Sequence, residues 1–393
     1  MPRFSPFAGV RYDTSRADGE LGALVAPPYD VIDDDQRAAL EAAHACNSVR
    51  LILPRDEEDG DRYQRAAELF RRWQSAGILV RDASPRFYAY RMEFTDPHGV
   101  RRHTQGVIGA LALPESGDES VLPHERTLPK AKSDRLALLT ATRANFDPIW
   151  VLSLSAGLTE LLRNATLLGA CVDVDGTRHE IAAIDAPADI AAVSELVAAT
   201  PVVLADGHHR FETACNYRNQ HRDGGADAIM ALVVELAEDE LCIEPIHRTV
   251  DLPDAVDLRS RLADAFTVRD AGANTPENIE ALEQTMRSER ALGLVDAHGL
   301  ALAIPLARTE DIDSGLVEEL VVPRLPEAQW QYRHDSQAVG ALVDKRVVSA
   351  AILCNPVSVA QTRAVAEAGE RMPQKTTFFW PKPRTGMVLR SLD

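Results

Sequence analysis

The residues best suited to chemistry lie in one short stretch, Asp206 to Arg210, which reads Asp-Gly-His-His-Arg. An apolar run, Val202 to Leu204, precedes this stretch, and apolar residues at helical spacing follow it. The pattern predicts a buried strand, a tight turn at Gly207 and a helix. The first amides of such a helix and its dipole attract anions. The sequence therefore predicts a site for phosphate or another anion at this Asp206–Arg210 turn.

Each residue of the turn suits a role at an anion site. Gly207 would let the backbone approach a phosphate, and Arg210 could donate two parallel hydrogen bonds to it. His208 and His209 could donate hydrogen bonds or carry a proton. Asp206 could act as a general base, or it could cap the helix in a purely structural role. This hypothesis would fail if Arg210 pointed into the apolar interior or were paired within the protein, and no cavity lay over the turn.

Further candidate residues lie in three other segments. The loop over 121–135 is dense in charge and contains two prolines, which is typical of a functional loop or of ordinary solvation. A basic pair, His247-Arg248, could face the turn or could simply lie at an exposed strand end. A basic and aromatic tail could clamp a nucleotide or close the core. These segments contribute Glu125, Arg126, His247, Arg248 and Lys375, with Lys382 and Arg384 as further basic residues of the tail.

The histidines also permit a different hypothesis, in which they bind a metal ion. A hydrolytic centre, as in a phosphatase, could be built from Asp206, His208, His209, His124 and His247. Adjacent histidines at a helix start rarely direct both rings at one ion, so we assign no metal ligand. A third hypothesis is a nucleotide-binding regulatory module without turnover.

The surrounding sequence alternates between helical and strand patterns, which predicts a mixed α/β (α+β) fold. Helical spacing predicts a helix over 61–76, and alternation predicts a hairpin of strands over 86–94 and 101–113. The apolar run over 47–54 predicts a short strand. We expect three lobes: residues 1–154 with the charged loop, residues 155–250 with the Asp206–Arg210 turn, and residues 251–393 with the tail.

The composition narrows the class of protein. A share of 45% hydrophobic and 26% charged residues predicts a soluble, globular chain. The net charge of −18 argues against a general nucleic-acid-binding protein but permits a small anion in a local basic pocket. The five cysteines form no CxxC pair, so neither a zinc ribbon nor a disulfide framework is indicated. No signal peptide or membrane span is evident, so we expect a cytoplasmic protein without a membrane partner.

Several motifs together resemble one bacterial family, DUF1015. They are PFAGVRY, APPYDVI, PHERT with the following KSDRL, ADGHHRFETA, PIHR and MPQKTTFFWPKPRTG, and they cover almost the entire chain in order. In this family the Asp206–Arg210 turn is similar to the phosphate-binding turn of the ParB and sulfiredoxin superfamily, which includes free serine kinases. The resemblance therefore implies a ParB-like core and a phosphotransfer involving serine or phosphoserine. The turn lacks a cysteine, which argues against sulfiredoxin chemistry.

The resemblance also implies roles and ligands. The Pro-His-Glu element is similar to the carboxylate-bearing loop of the serine kinases, so Glu125 is the implied general base and Asp206 the alternative. The implied partners are a small phosphorylated ligand and an amino acid, with ATP, ADP or pyrophosphate as donor. Mg²⁺ would accompany a nucleotide, because it often binds through only one or two protein carboxylates. The sequence leaves open the donor, the direction of the reaction and the oligomeric state.

Overall fold

A computed structural model of the chain describes residues 1–56, 61–97, 99–115, 117–123, 132–221, 224–253 and 256–393. These residues divide into two units. The first unit contains residues 1–123, 132–242 and 381–393, and the second contains residues 243–380. The last part of the chain therefore returns to the first unit.

Helices and strands alternate along the chain, which confirms the predicted mixed α/β class. The strands are β1 (Phe4–Ser5), β2 (Val10–Tyr12), β3 (Leu79–Arg81), β4 (Phe87–Thr95), β5 (Arg101–Ala112), β6 (Val121–Pro123), β7 (Ala144–Asn145), β8 (Ile149–Ser153), β9 (Thr166–Val172), β10 (Arg178–Ile184), β11 (Val202–Asp206), β12 (Ala228–Glu235), β13 (Cys242–Pro245), β14 (His247–Asp251), β15 (Phe266–Gly272), β16 (Leu292–Asp296), β17 (Gly299–Pro305), β18 (Gln329–Arg333), β19 (Ala350–Leu353), β20 (Thr377–Trp380) and β21 (Arg390–Ser391). The helices are α1 (Thr14–Ala17), α2 (Leu21–Leu24), α3 (Asp34–Ala43), α4 (Val49–Ile52), α5 (Arg62–Ser75), α6 (Lys132–Thr142), α7 (Leu158–Leu161), α8 (Pro187–Ala198), α9 (His208–Gln220), α10 (Leu258–Leu262), α11 (Pro276–Glu289), α12 (Asp313–Leu316), α13 (Ser336–Asp344) and α14 (Val359–Glu367).

The first unit is built on a sheet that has nine strands within the described residues. The strand order is β6-β11-β8-β12-β5-β4-β10-β9, and β1 pairs with β5. β11 lies between β6 and β8, and its residues from Val202 to Ala205 are all buried. Successive side chains of a strand point to opposite faces, so both faces of the sheet are covered at β11. The strand that leads to the candidate turn is therefore rigidly held.

Pairings between distant segments build this sheet. β8 pairs with β11, and β5 pairs with β12, so strands of residues 1–154 and of residues 155–250 share one sheet. Such pairings satisfy backbone hydrogen bonds between segments far apart in the chain and leave no local sequence pattern.

The second unit is built on an antiparallel sheet with the order β15-β17-β16-β19-β14-β18, six strands within the described residues. Neighbouring residues of β16 lie in different apolar clusters: Leu294 packs with α10, whereas Val295 packs with α11 and α13. Each face of the sheet therefore has its own core.

One predicted element is wrong: residues 47–54 contain the short helix α4 instead of a strand. The side chain of Asn47 accepts from the N–H of Val49 at 2.9 Å and donates to the carbonyls of Ala23 and Val25 at 2.8 and 3.1 Å. These bonds favour a helical turn over an extended strand. A short apolar run does not distinguish a buried helix from a buried strand.

The stronger local patterns are confirmed. α5 spans Arg62–Ser75, and the side chain of Asp61 caps its first turn. β4 and β5 form the predicted hairpin. Among the helices of the described residues, none combines the length and the apolar character needed to cross a membrane.

Candidate functional site

The predicted strand, turn and helix around Gly207 are present. β11 ends at Asp206, and the 13-residue helix α9 begins at His208. Gly207 is the N-cap and has a φ of 88°, a left-handed conformation that favours glycine. A Cβ atom at this position would lie 2.9 Å from Cγ2 of Ile149 and 3.1 Å from Nη2 of Arg210. Both the backbone conformation and the surrounding space therefore require glycine.

The start of α9 is accessible. Residues 206–211 are all partly exposed, although the strand before them is buried. Gly207 has no side chain, so the N-cap residue itself does not cap the helix. The first N–H groups of a helix lack intrahelical acceptors, and the helix dipole adds positive potential there. The turn therefore has the character of an anion site.

The carboxylate of Asp206 lies between two cations. Its Oδ1 is 2.6 Å from Nζ of Lys382, and its Oδ2 accepts from Nη2 of Arg210 at 3.1 Å. Burial favours the neutral acid, but the charges of Lys382 and Arg210 outweigh it and lower the pKa of Asp206 to about 2. Asp206 is therefore ionised near neutral pH and bonded at both oxygens. This arrangement suits neither a general base nor a cap for α9.

The guanidinium of Arg210 is also used within the protein. In addition to its bond to Asp206, its Nη1 donates to the carbonyl oxygen of Pro148 at 2.6 Å. This differs from the expectation that Arg210 offers two parallel bonds to a ligand, and the pairing of Arg210 within the protein meets one of the two conditions under which the anion-site hypothesis would fail. The pairing of β8 with β11 brings Pro148, which precedes β8, beside the start of α9. Arg210 therefore adds positive charge to the turn and ties β8 to α9.

A second carboxylate, Asp147, belongs to this cluster, and sequence reasoning missed it. It lies just before β8, and its Oδ1 accepts a hydrogen bond from Oγ1 of Thr385. Burial raises the pKa of Asp147 to about 6. The cations Arg210 and Arg135 oppose this rise, and the carboxylates Asp30 and Asp206 reinforce it. The environment thus separates the pKa values of Asp147 and Asp206.

A cavity of about 60 Å³ adjoins Asp147. Arg135, Arg210 and Thr213 contribute polar groups to its wall, and most of the remaining lining is apolar. Oγ1 of Thr213 is buried and makes no hydrogen bond with any described residue. A buried hydroxyl without a partner is costly, and the cavity has room for about two water molecules. The cavity is therefore suited to a small polar guest.

The N-terminal segment and the end of the chain complete the cluster. The guanidinium carbon of Arg135 lies 4.2 Å from the ring centre of Tyr29. Just before Tyr29, Ala26 and Thr385 exchange two backbone hydrogen bonds of 3.1 and 2.8 Å. These bonds hold the chain end that carries Lys382, residues 381–393, against the N-terminal segment of the same unit.

A buried network around Asp173 holds the same segment. Asp173 accepts from Nε of Arg384 at 3.1 Å and lies 3.0 Å from Nε2 of His179. Oη of Tyr90 lies 2.9 Å from Nδ1 of His179 and accepts from the N–H of Arg384 at 2.9 Å. Burial would raise the pKa of Asp173, but the hydrogen bond from His179 and the charge of Arg384 hold it well below its usual range.

We expect Asp173→Asn to lower the free energy of unfolding at pH 7 by about 3 kcal/mol, because the buried guanidinium of Arg384 loses its closest carboxylate and the exposed Asp175 lies 3.8 Å away. A carboxylate with a lowered folded-state pKa stabilises the protein above its unfolded-state pKa, and this contribution is lost as the pH falls. The difference between wild type and variant should therefore shrink below about pH 4. Urea unfolding at several pH values measures it. As a control, Glu180→Gln removes an ion pair with the exposed Arg178 and should cost less than about 0.5 kcal/mol; an equal loss in both variants would contradict the prediction.

The other predicted site residues fall into two groups. Glu125, Arg126 and His124 lie outside the described residues. The second unit contains His247, Arg248 and Lys375.

His247 and Arg248 are buried in β14 and have partners within the second unit. Nδ1 of His247 accepts from the N–H of Cys354 at 3.2 Å, and burial, aided by the charge of Arg248, lowers the pKa of His247 to about 3. Arg248 donates to the carbonyl of Ile246 and lies 5.5 Å from the ring centre of Tyr332. Lys375 is exposed.

Sequence reasoning did not predict that Lys382 and Asp147 lie beside the turn, although each stands in a recognisable pattern. Lys382 stands in the basic and aromatic tail, and Asp147-Pro148 precedes an apolar strand pattern, but neither signal indicates a contact with the turn. Within the described part of the chain, no three histidine, cysteine or acidic side chains are grouped so that they could hold a metal ion.

The model of a family described as protein of unknown function (DUF1015) matches residues 4–323. No curated protein matches the chain. Similar solved structures include a conserved hypothetical protein from Pyrococcus furiosus, with 13% identity, a TM-score of 0.41, and coverage of 73% of this chain and 95% of that one. A free serine kinase in complex with AMP has 16% identity, a TM-score of 0.38, and coverage of 70% and 87%. SbnI with a C-terminal truncation, from Staphylococcus aureus, has 12% identity, a TM-score of 0.38, and coverage of 71% and 85%.

Proposed function

Because this chain belongs to the DUF1015 family, whose description names no activity, we propose a function from its site: a phosphotransferase that binds ATP, ADP or pyrophosphate at the start of α9 and exchanges phosphate with free serine or phosphoserine. The local geometry supports an anion site at the turn, and the choice of donors comes from the family resemblance of the motifs. The amino acid comes from the family resemblance of the motifs alone, so the experiment below varies it separately.

One observation carries the proposal: an accessible helix start at Gly207 lies beside two ordered cations, Lys382 and Arg210. The helix dipole and the two cations favour an anion at this point even though the chain as a whole is acidic. Phosphoryl transfer requires mainly such positioning and charge stabilisation of the phosphoryl oxygens. The turn is therefore suited to the part of the reaction that a protein must supply.

Each residue of the turn has its own role in binding the phosphate or moving a proton. Gly207 allows the close approach of the backbone, and His208 and His209 donate hydrogen bonds or carry a proton. Asp206 holds Lys382 and Arg210 in place. The resemblance assigns Glu125 as the general base, and the neighbouring Arg126 stays a sequence-based prediction of a phosphate ligand.

A magnesium ion is the usual companion of a nucleotide. The described residues contain no group of three histidine, cysteine or acidic side chains that could hold a metal ion, and both oxygens of Asp206 already bond to cations. Mg²⁺ prefers oxygen ligands that include free carboxylates. We therefore derive no step through Mg²⁺ and treat it as a variable of the assay.

The test incubates the protein with L-serine or O-phosphoserine and each of ATP, ADP and pyrophosphate, with and without Mg²⁺, and follows phosphate by phosphorus NMR. We expect one serine compound and one donor to exchange phosphate, while L-threonine and L-alanine serve as acceptor controls. Donor binding by calorimetry without transfer to any acceptor would indicate a regulatory module instead. Stoichiometric zinc, manganese or iron in the purified protein would favour the hydrolase hypothesis.

A further inference from the structure

The cluster contains two carboxylates in different situations. Asp206 is bonded at both oxygens to cations, whereas Asp147 uses only Oδ1, which accepts from Thr385. Oδ2 of Asp147 makes no hydrogen bond with any described residue, and Asp147 is partly exposed. Of the two, only Asp147 has an oxygen available for a substrate hydroxyl.

The cavity beside Asp147 offers a place for that hydroxyl. Its volume of about 60 Å³ admits a small polar group, and Thr213, whose buried Oγ1 has no described partner, is one of its lining residues. Arg210 and Thr213, both of α9, line the same cavity, and the guanidinium of Arg210 also bonds Asp206 at the end of β11.

We propose that the cavity between Asp147 and Thr213 receives the hydroxymethyl group of the phosphate acceptor and that Asp147 is the group that takes its proton. This inference rests on the proposed function. It replaces both Glu125 and Asp206 in the role of general base.

The proposed transfer forms one bond to phosphorus and breaks another. The acceptor oxygen forms a bond to the terminal phosphorus of the donor while the bond from this phosphorus to the bridging oxygen breaks. The hydroxyl proton moves to the carboxylate of Asp147, and the shortened donor leaves with the electron pair of the broken bond. Lys382 and Arg210 provide positive charge near the phosphoryl oxygens.

The charges around Asp147 suit a proton acceptor that works near neutral pH. Arg135 of α6 and Arg210 of α9 favour its ionised form, whereas Asp30 of the N-terminal segment and Asp206 of β11 favour its protonated form. Tyr29, which interacts with both Arg210 and Asp147, has a pKa raised chiefly by burial and stays neutral. Two neighbouring acids with separated pKa values commonly take different roles at an active site. Here Asp206 is the fixed charge and Asp147 the proton carrier.

The experiment compares the pH dependence of phosphate transfer in wild type, Asp147→Asn and Glu125→Gln. In wild type, kcat should rise with pH through an apparent pKa near 6, because the base must be ionised. We expect Asp147→Asn to lower kcat by about a hundredfold or more and to remove this rise, with unchanged binding of ADP. Glu125→Gln should keep the rise. Loss of the rise in Glu125→Gln together with its persistence in Asp147→Asn would overturn the inference.

A second variant tests the cavity even if Asp147→Asn folds poorly. Thr213→Val removes the hydroxyl at nearly constant volume and should raise the KM for the acceptor about tenfold without changing ADP affinity. Thr104→Val is the matched control, because Oγ1 of Thr104 is also buried without a described partner but Thr104 does not line the cavity. Equal KM values in the two valine variants would overturn the inference. If wild type transfers no phosphate to any acceptor, the proposed function fails as well, whereas active wild type with an unaffected Asp147→Asn rejects the inference alone.

Discussion

Gly207→Ala is expected to lower phosphate transfer by about a hundredfold, because a shift of about 1 Å in a positioned group can cost that much. The new Cβ would lie 2.9 Å from Ile149 and 3.1 Å from the Arg210 guanidinium, so the helix start or β8 must move. The left-handed φ of 88° adds a penalty of its own. Together these effects should lower the free energy of unfolding by about 3 kcal/mol.

The matched control for this variant is Gly176→Ala. Gly176 also has a positive φ, 80°, but a Cβ there would meet no atom within 4 Å. It should therefore cost only about 1 kcal/mol for the backbone conformation and leave phosphate transfer unchanged. Transfer kinetics and urea unfolding on both variants separate the contact at Gly207 from the general cost of a left-handed alanine. Normal transfer by Gly207→Ala would contradict the anion site at the start of α9.

Lys382→Met is expected to have the second large effect. It removes the cation 2.6 Å from Oδ1 of Asp206 and leaves this carboxylate with half of its charge partners. Breaking a largely buried ion pair from one side should lower the free energy of unfolding by about 3 kcal/mol. The loss of positive charge beside the helix start should also weaken ADP binding by about tenfold.

A double-mutant cycle distinguishes the two contributions of Lys382. Asp206→Asn in combination with Lys382→Met removes both charges, so the double variant should regain part of the lost stability. It should not regain ADP affinity, because the cation that attracts the phosphate is still absent. Recovery of both stability and affinity would show that Lys382 only neutralises Asp206. The exposed pair Arg163 and Glu160 provides a control, since Glu160→Gln should change the unfolding free energy by less than about 0.5 kcal/mol.

The chain as a whole is acidic, whereas the start of α9 and Lys382 are locally positive. A chain with a net charge of −18 repels anions at long range. Only local features such as the start of α9 and Lys382 favour an anion, and salt screens the long-range term more strongly than contacts inside a partly buried site. We therefore regard short-range contacts as the source of specificity for a phosphorylated ligand.

Local sequence patterns were sufficient for the elements that carry the turn. Apolar Val202 to Leu204 followed by Asp206-Gly207 predicted the strand, the bend and the helix, because strand burial, turn formation and helix start each have a short-range cause. The same reasoning found α5 and the β4–β5 hairpin. This reasoning was wrong for residues 47–54, where hydrogen bonds from Asn47 to Ala23 and Val25 favour a short helix.

The family, the mixed α/β class and the glycine bend before α9 could be predicted from local patterns of residues. The groups that surround this bend could not, because they come from distant parts of the chain. Lys382 reaches Asp206 across 176 residues, and Thr385 reaches Asp147 across 238. Contacts of this kind depend on strand pairing and on the return of the chain end to the first unit, which leave no periodic signal in the residues themselves. Local patterns also could not predict that the guanidinium of Arg210 is bonded within the protein instead of facing a ligand. Nor could they predict that Asp147 uses only one of its carboxylate oxygens in a hydrogen bond with the described residues.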